Sequence, residues 1–418
     1  MKKRFVVLLS LALLVLVNLF VVAETAPKTV TINFANFSSG GDNTKYLEEM
    51  RKIFEKTHPS IKVKIETIGY GDYFTVMQTR IAGGNVPDAF ELNYENFATY
   101  AKKGTLLPLD ELITKGKFDT VVINENALHA FKANNLQYGL PFSFSNVILI
   151  YNKELFDKAG IAYPTSAWTW DDQLEAAKNI RALGNNVFGM FQPIQFHEFY
   201  KVVKQNNGSL FNEDMTKFTV NSPENVETLQ FIVDRVRKYN VMPTEAQLAG
   251  MGDWELFKAG RLGMIITGSW AFPDFIRDCD FEWDIAIEPG KVRKATHFFA
   301  NGLVLSKNTK NTEAAFEWIK FLSSSREAAN IRVDAGWELP AVTYPEVIER
   351  YKRQTPPTNR EVVFASLEYL VTPPVIEQFA EMADIMGKYL AQARDGVMTS
   401  EQALKEAQKE LEQKIKLK

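Results

Sequence analysis

From Val30 to Phe34 apolar and polar residues alternate, which is the period of a strand with one buried face. Asp42 or Asn43 is placed to cap a helix in which Leu47, Met50, Ile53 and Phe54 share a side, and Pro59 closes it. Alternation returns at Ile61, Val63 and Ile65. Strand, helix, strand is the opening of a parallel α/β sheet. Further on, Val147–Tyr151 predicts an apolar strand and Glu154–Ala159 a short helix stopped by Gly160. Trp168-Thr169-Trp170-Asp171-Asp172 starts another helix, and Val187–Met190 reads as a strand. Ser222-Pro223 opens a helix with Val226, Leu229, Ile232, Val233 and Val236 on one side. Trp254–Ala259 is a helix ended by Gly260, and Leu262–Ile266 a buried strand running into Thr267-Gly268-Ser269-Trp270. Phe298–Ser306 is a further strand and Thr312–Leu322 a helix. The last helix starts at Thr399, where Gln402 completes a capping box. The most linker-like stretch is Gln354–Asn359, with two prolines.

The chain has 418 residues, more than one core comfortably serves, so two domains are expected. Lys2, Lys3 and Arg4 precede an apolar run, Phe5–Val22, that ends in small residues at Ala23. Residues 1–23 therefore read as an export signal; the alternative is an uncleaved membrane tether. No Cys follows the run, so the expected product is exported, periplasmic or extracytoplasmic, and not a lipoprotein. Removing that segment takes away three basic and no acidic side chains and leaves a mildly acidic protein, which argues against nucleic acid as partner. Cys279 is the only cysteine, so no internal disulfide forms. His58, His129, His197 and His297 are scattered, and neither a metal site nor a cofactor is expected.

Tyr138–Asp172 is the densest run of signatures: Tyr138-Gly-Leu-Pro141, Tyr151-Asn152-Lys153, Phe156, Ala159-Gly160, Pro164 and Thr169-Trp170-Asp171. In this order they resemble the sugar-binding group of extracellular solute-binding proteins of ABC importers, family 1, the maltose-binding-protein-like proteins. Phe257–Trp270 and Gly336–Ala341 resemble later elements of the same family. Gly83–Asp88 resembles the run that leads into the third strand, which puts Phe90–Leu92 in that strand and Asn93, Tyr94 and Glu95 at its end. The resemblance spans about residues 28–416. It implies an α/β, two-lobed fold of the type II periplasmic-binding-protein kind. Each lobe is then a mainly parallel sheet flanked by helices, and hinge strands cross between them. Residues 28–141 and 298–350 are expected in the first lobe, 142–297 and 351–418 in the second. The implied function is capture of a sugar or oligosaccharide by hinge closure and delivery to a membrane permease, by a monomer.

Sugars offer apolar ring faces to aromatic side chains and hydroxyls to planar polar groups, and open α/β sheets bind at the carboxyl ends of their strands. Trp270, after a strand and a Gly-Ser turn, is the foremost candidate; the alternative is packing beneath its own helix. Tyr94 and Glu95 follow the third strand, with a solvated turn as the alternative. Asn36, Ser38 and Asp42 lie in the first strand–helix loop, Asp42 also being a candidate cap. Phe142 and Ser143 face either the cleft or the hinge. Trp337, where many relatives carry small residues, and Glu338 flank a turn. Gln192 and His197 follow the Val187–Met190 strand, as does Phe196. Trp168, Trp170, Trp254 and Trp318 read as packing residues. No residue is assigned a catalytic role. Two other functions stand as alternatives: binding of a non-sugar solute (a polyamine, an anion or a metal complex) and, least favoured, a secreted carbohydrate-active enzyme, which needs a carboxylate pair at defined separation.

Overall fold

The computed structural model describes residues 29–248, 250–374 and 376–417, so the expected export signal lies outside the described residues. The strands are β1 Val30–Asn36, β2 Ile61–Thr67, β3 Ala89–Asn93, a small hairpin of β4 Lys132–Ala133 and β5 Leu136–Gln137, β6 Gly139–Ser145, β7 Val147–Asn152, β8 Phe188–Phe191, β9 Leu262–Gly268, β10 Trp283–Ala286, β11 Thr296–His297, β12 Phe299–Leu305, β13 Leu339–Pro340 and β14 Leu370–Val371. One sheet runs β13-β6-β12-β3-β1-β2 and a second runs β10-β7-β9-β8. These are the cores of two lobes.

Each sheet is mixed, not mainly parallel. β1 pairs in parallel with β2 and β3, as the strand-helix-strand pattern requires, but β12 is antiparallel to both β3 and β6. In the second sheet β8 is parallel to β9 while β7 is antiparallel to β9 and β10. The cause is connectivity: a strand arriving from one lobe runs against those that already leave toward it.

β6 has no clear sequence signal because Pro141 interrupts it. Pro lacks the N–H of a ladder, so inside a sheet it is tolerated at irregularities. The β12–β6 register shifts between Asn301 and Gly302, and Gly302 faces Pro141. The break in pairing therefore falls where the donor is missing. β6 stays in the first sheet to Ser145, so the lobe boundary expected after 141 falls inside a strand.

A single residue, Asn146, separates β6 of the first sheet from β7 of the second. The return from β10 to β12 passes through β11, which pairs in parallel with β14 in a small sheet of its own, and then Phe298. Asn146 is fully buried and its Nδ2 donates to the Val363 carbonyl at 2.8 Å. The Thr296 hydroxyl donates to the Val147 carbonyl, tying the two crossings side by side.

The cores follow the apolar faces. Helix Thr44–Thr57 buries Leu47, Met50 and Phe54 against Trp318, whose ring meets Phe34 at 5.8 Å and Phe54 at 5.0 Å. Asn43 occupies the cap position but makes no side-chain cap bond, which corrects the expected capping role. In the second lobe, helices Phe379–Arg394 and Ser400–Lys414 pack together, the latter behind the Thr399–Gln402 capping box. Helix Trp170–Arg181 presses closely on β8. A Cβ on Gly189 would lie 2.1 Å from the Ala177 carbonyl oxygen. Gly189→Ala is therefore expected to destabilise the protein by about 1–3 kcal/mol, as overpacking does, read as a lower urea midpoint at unchanged slope.

Candidate ligand-binding site

The carboxyl ends of β1, β3 and β6 and the start of β12 lie on one edge of the first sheet, as their pairing dictates. The ends of β8 and β9 answer from the second lobe. Between them is a cavity of about 430 Å³. Phe37 and Ser38 after β1, Asn93 and Glu95 after β3, Ser145 at the end of β6, and Phe299, Ala300 and Asn301 of β12 line one side. Tyr70, Asn43, Trp337 and Glu338 complete that wall, and His197, Trp270 and Pro273 supply the other. A second chamber of about 540 Å³ continues into the second lobe and shares His197, Trp270 and Phe299 with the first. Gln195, Asp253, Trp254 and Thr267 are among its lining residues.

Trp270 owes its position to Gly268. A Cβ there would sit 2.0 Å from the indole, so only glycine lets the ring fold back over the turn. Its other neighbour is Phe299, edge-on at 5.5 Å. Trp270 thus packs on its own turn and still forms the partition between the chambers.

Glu95 sits in the first turn of helix Tyr94–Lys102, whose cap is the Asn93 side chain. Only 5% of the residue is exposed, and its Oε2 is buried without a hydrogen-bond partner. Burial pushes its carboxyl up to about 7. Asn93 Nδ2 donates to the Tyr70 hydroxyl at 3.3 Å, and Tyr70 is open to solvent. The backbone N–H groups of Phe37 and Ser38 both donate to Glu91 Oε2, at 3.0 and 3.1 Å, which fixes the loop after β1. His197 begins helix Phe196–Gln205, not a loop; burial lowers its pKa, and its ring stands between both chambers.

Six of the twelve expected residues, Ser38, Glu95, His197, Trp270, Trp337 and Glu338, line the 430 Å³ cavity. The others are placed elsewhere. Asn36 is fully buried; its Nδ2 donates to the Glu66 carbonyl and Thr67 hydroxyl at 3.2 Å, and its Oδ1 accepts from the Ser39 N–H. Tyr94 turns to a side cavity against Phe298, with ring centres 5.8 Å apart. Phe142 and Ser143 face inward. Phe142 stacks on one side of Arg332 at 4.0 Å while Trp337 covers the guanidinium at 4.1 Å, so Trp337 shows the cavity little of its ring. Ser143 donates to Glu338, which also accepts from Asn301 at 3.3 Å and Arg332 at 3.5 Å. Gln192 is locked among buried charges, accepting from Arg235 at 2.5 Å. Asp42 pairs with Arg277 at 2.7 Å.

Tyr70, Asn93, Ser145, Asn301 and Phe299 also line the cavity, beyond the candidates expected from sequence. A strand end was the available signal for Asn93, Ser145 and Phe299. Trp254, expected in the core, is only partly buried and lines the second chamber. Trp170 does pack, stacked on Phe231 at 4.5 Å with its indole N–H on Gln205 at 2.8 Å. Among the described residues no group of His, Cys, Asp and Glu is arranged for a metal, and no helix is long and apolar enough to cross a membrane.

The sequence model of the bacterial extracellular solute-binding proteins matches residues 38–329. The chain belongs to this family. An arabinooligosaccharide-binding protein of Bacillus subtilis is 26% identical over 76% of this chain and 76% of its own. The structure of an ABC substrate-binding protein of Listeria monocytogenes in complex with cycloalternan is 47% identical, with a TM-score of 0.89 over 94% of this chain and 100% of the other. A solute-binding protein of Thermotoga lettingae bound to α-D-tagatose, 24% identical over 92% of this chain and 99% of its own, shares the fold at a TM-score of 0.81. The type II two-lobed fold follows from these likenesses. The chain is the extracytoplasmic binding component of an ABC importer, and its protein partner is the membrane permease.

The binding protein supports its site from behind. Lys201, fully buried, lies between Glu198 and Glu288, each at 2.7 Å. Glu198 also meets His297 Nε2 at 3.0 Å; burial opposes its charge, but Lys201 and His297 win and hold its carboxyl well below the usual range. Removing one member of such a cluster leaves an uncompensated buried charge, so it fixes the second wall. The Asp42–Arg277 pair is different. It bridges the loop after β1 and helix Phe272–Asp278 of the second lobe in full contact with solvent. Exposed pairs contribute little, about 0.2–1 kcal/mol, but this one is made across the lobes and favours their approach. Asp42→Asn should weaken ligand affinity by less than about fivefold at low salt, with the difference fading as salt rises, measured by calorimetry at two ionic strengths.

Proposed function

We propose that this protein captures a sugar, and preferentially an oligosaccharide, in the two chambers around Trp270, by rotation of the lobes about the Asn146 crossing and the β11 strand beside it. The observation that carries this reading is the cavity between the lobes, where aromatic rings and planar polar groups from both sheets converge. Trp270, Phe299 and Tyr70 present ring surface, and Asn43, Asn301, Glu95 and Glu338 present donors and acceptors at strand ends. Chambers of about 430 and 540 Å³ that share three side chains extend toward the upper end of the roughly 300–1,000 Å³ of small-molecule sites, which favours several rings over one. The 47% identical relative in complex with cycloalternan and the arabinooligosaccharide-binding relative support the same ligand class.

Ser38, Glu95, His197, Trp270 and Glu338 are the proposed contacts among the expected residues, joined by Tyr70, Asn93, Ser145 and Asn301. The first lobe is proposed to comprise residues 29–145 and 299 to about 350, the second the intervening segment and the C-terminal helices. The mature protein is proposed to act as an exported monomer without a lipid anchor. No chemistry on the ligand belongs to this reading, and sugar recovered unaltered after long incubation supports it.

The differential affinity needed to move lobes from mostly open to mostly closed is about 5.5 kcal/mol. Several cross-cleft hydrogen bonds at about 0.5–1.5 kcal/mol each, with one or two stacked rings, supply that. One observation favours a cationic solute instead, namely that Glu95 has no cation near it. A thermal-shift screen of maltose, arabino-oligosaccharides, cycloalternan and spermidine separates the two; stabilisation by spermidine alone overturns the sugar reading. Trp270→Ala removes stacking and buried area worth about 1.5–3 kcal/mol and should weaken sugar binding about ten- to hundredfold, with the unfolding midpoint nearly unchanged. Unchanged affinity in that variant removes Trp270 from the site.

A further inference from the structure

Among the described residues, the buried carboxylates fall into two groups. Asp88, Glu91, Glu198 and Glu288 each accept hydrogen bonds from other residues: Asp88 from the Asn33 N–H, Glu91 Oε2 from two backbone N–H groups although its Oε1 has no partner, and Glu198 and Glu288 from Lys201; the half-buried Glu338 accepts from Ser143 and Asn301. Glu95 Oε2 accepts none; the carboxyl has only its own backbone N–H beside it, lies within ion-pair distance of no cation, and lines the cavity. A buried carboxylate short of donors and without a counter-charge is costly, whereas the neutral acid is not.

The groups facing it do not supply the missing charge. Burial raises the phenols of Tyr70, of Tyr94 on its own helix and of Tyr200 in the opposite lobe, and a charge on Glu95 adds to the rise in each. Tyr200 is engaged with His297 Nδ1 at 2.9 Å and Tyr70 with Asn93. His197, across the cavity, is held neutral by burial, and Glu338 on the same wall brings a further acid. Glu91 on β3 is also acidic.

We propose that Glu95 waits in the empty cleft as a neutral carboxylic acid and ionises when ligand hydroxyls donate to it, so that capture releases a proton to solvent. The inference rests on the sugar reading above. It adds a role that ordinary hydroxyl contact lacks: the ligand creates the acceptor that holds it. The leaving proton is the one on the Glu95 carboxyl, it passes to the buffer, and no bond of the ligand changes. A ligand able to donate two hydroxyls to one carboxylate then binds better than one able only to accept.

The direction with pH follows. Burial pushes the empty-site carboxyl up to about 7, and hydroxyl donors lower it in the complex. Affinity is therefore full at pH 8 and falls as the acid form takes over, about tenfold by pH 6. Two measurements on the full chain test this. The first is carboxyl-carbon NMR of the ligand-free protein, which should give a Glu95 midpoint near 7; a midpoint in the ordinary range, about 4–5, overturns the proposal whatever the ligand. The second is calorimetry with cycloalternan at pH 7 in two buffers of different ionisation heat. It should show release of about half a proton per ligand. Glu95→Gln should bind with no release and with a flat profile from pH 6 to 8, while His197→Gln should keep the release. Binding with equal heats in both buffers overturns the proton-release step and leaves the sugar reading standing. Tighter binding at pH 6 than at pH 8 overturns it as well. No heat with cycloalternan and every other sugar counts against the sugar reading, while the NMR midpoint still decides whether Glu95 is neutral.

Discussion

The first sheet passes directly into the second at Asn146, and the chain returns through β11, paired with β14, and Phe298. An extended residue spans at most about 3.6 Å, so the Asn146 link has no slack. With the Thr296 hydroxyl on the Val147 carbonyl and Asn146 on Val363, the links are also fastened to each other and to the chain beyond. In the proposed closure, lobes held this way turn about the crossings and do not slide. Everything on the cleft walls inherits that limit: a side chain meets the ligand only if it lies at a strand end facing the axis.

Rigid walls are the natural complement of such a hinge. In the first lobe Arg332 is fully buried between the rings of Phe142 and Trp337, and it reaches Glu338 at the cavity edge. In the second lobe Lys201 holds Glu198 and Glu288, and through them Gln192, Gln205 and His297. Both clusters are ionic and both lie directly behind residues of the site. Loosening either would let the wall relax instead of turn. Recognition therefore falls to lobe rotation and to the few wall groups left unpaired.

The sequence was informative about strand ends and poor on direction. The apolar run Leu262–Ile266 followed by Gly-Ser-Trp was enough to bring Trp270 to the cavity, and Glu95 followed from the third strand. Asn36, Phe142, Ser143 and Gln192 sit just as near strand ends, yet each turns inward because a distant partner claims it: Thr67, Arg332, Glu338 and Arg235 respectively. Local pattern carries no trace of such pairings. β6 was hidden by Pro141, whose cost vanishes only because β12 shifts register opposite it. Mixed pairing was hidden for a related reason, since strand direction depends on which lobe the chain has come from.

Rotation about the Asn146 crossing has a geometric corollary. Whatever occupies the space between Trp270 and the Glu338 wall acts as a wedge, and its thickness sets the angle at which closure stops. A permease that touched both lobes at once would then read the bound molecule's size as an angle without touching the molecule itself.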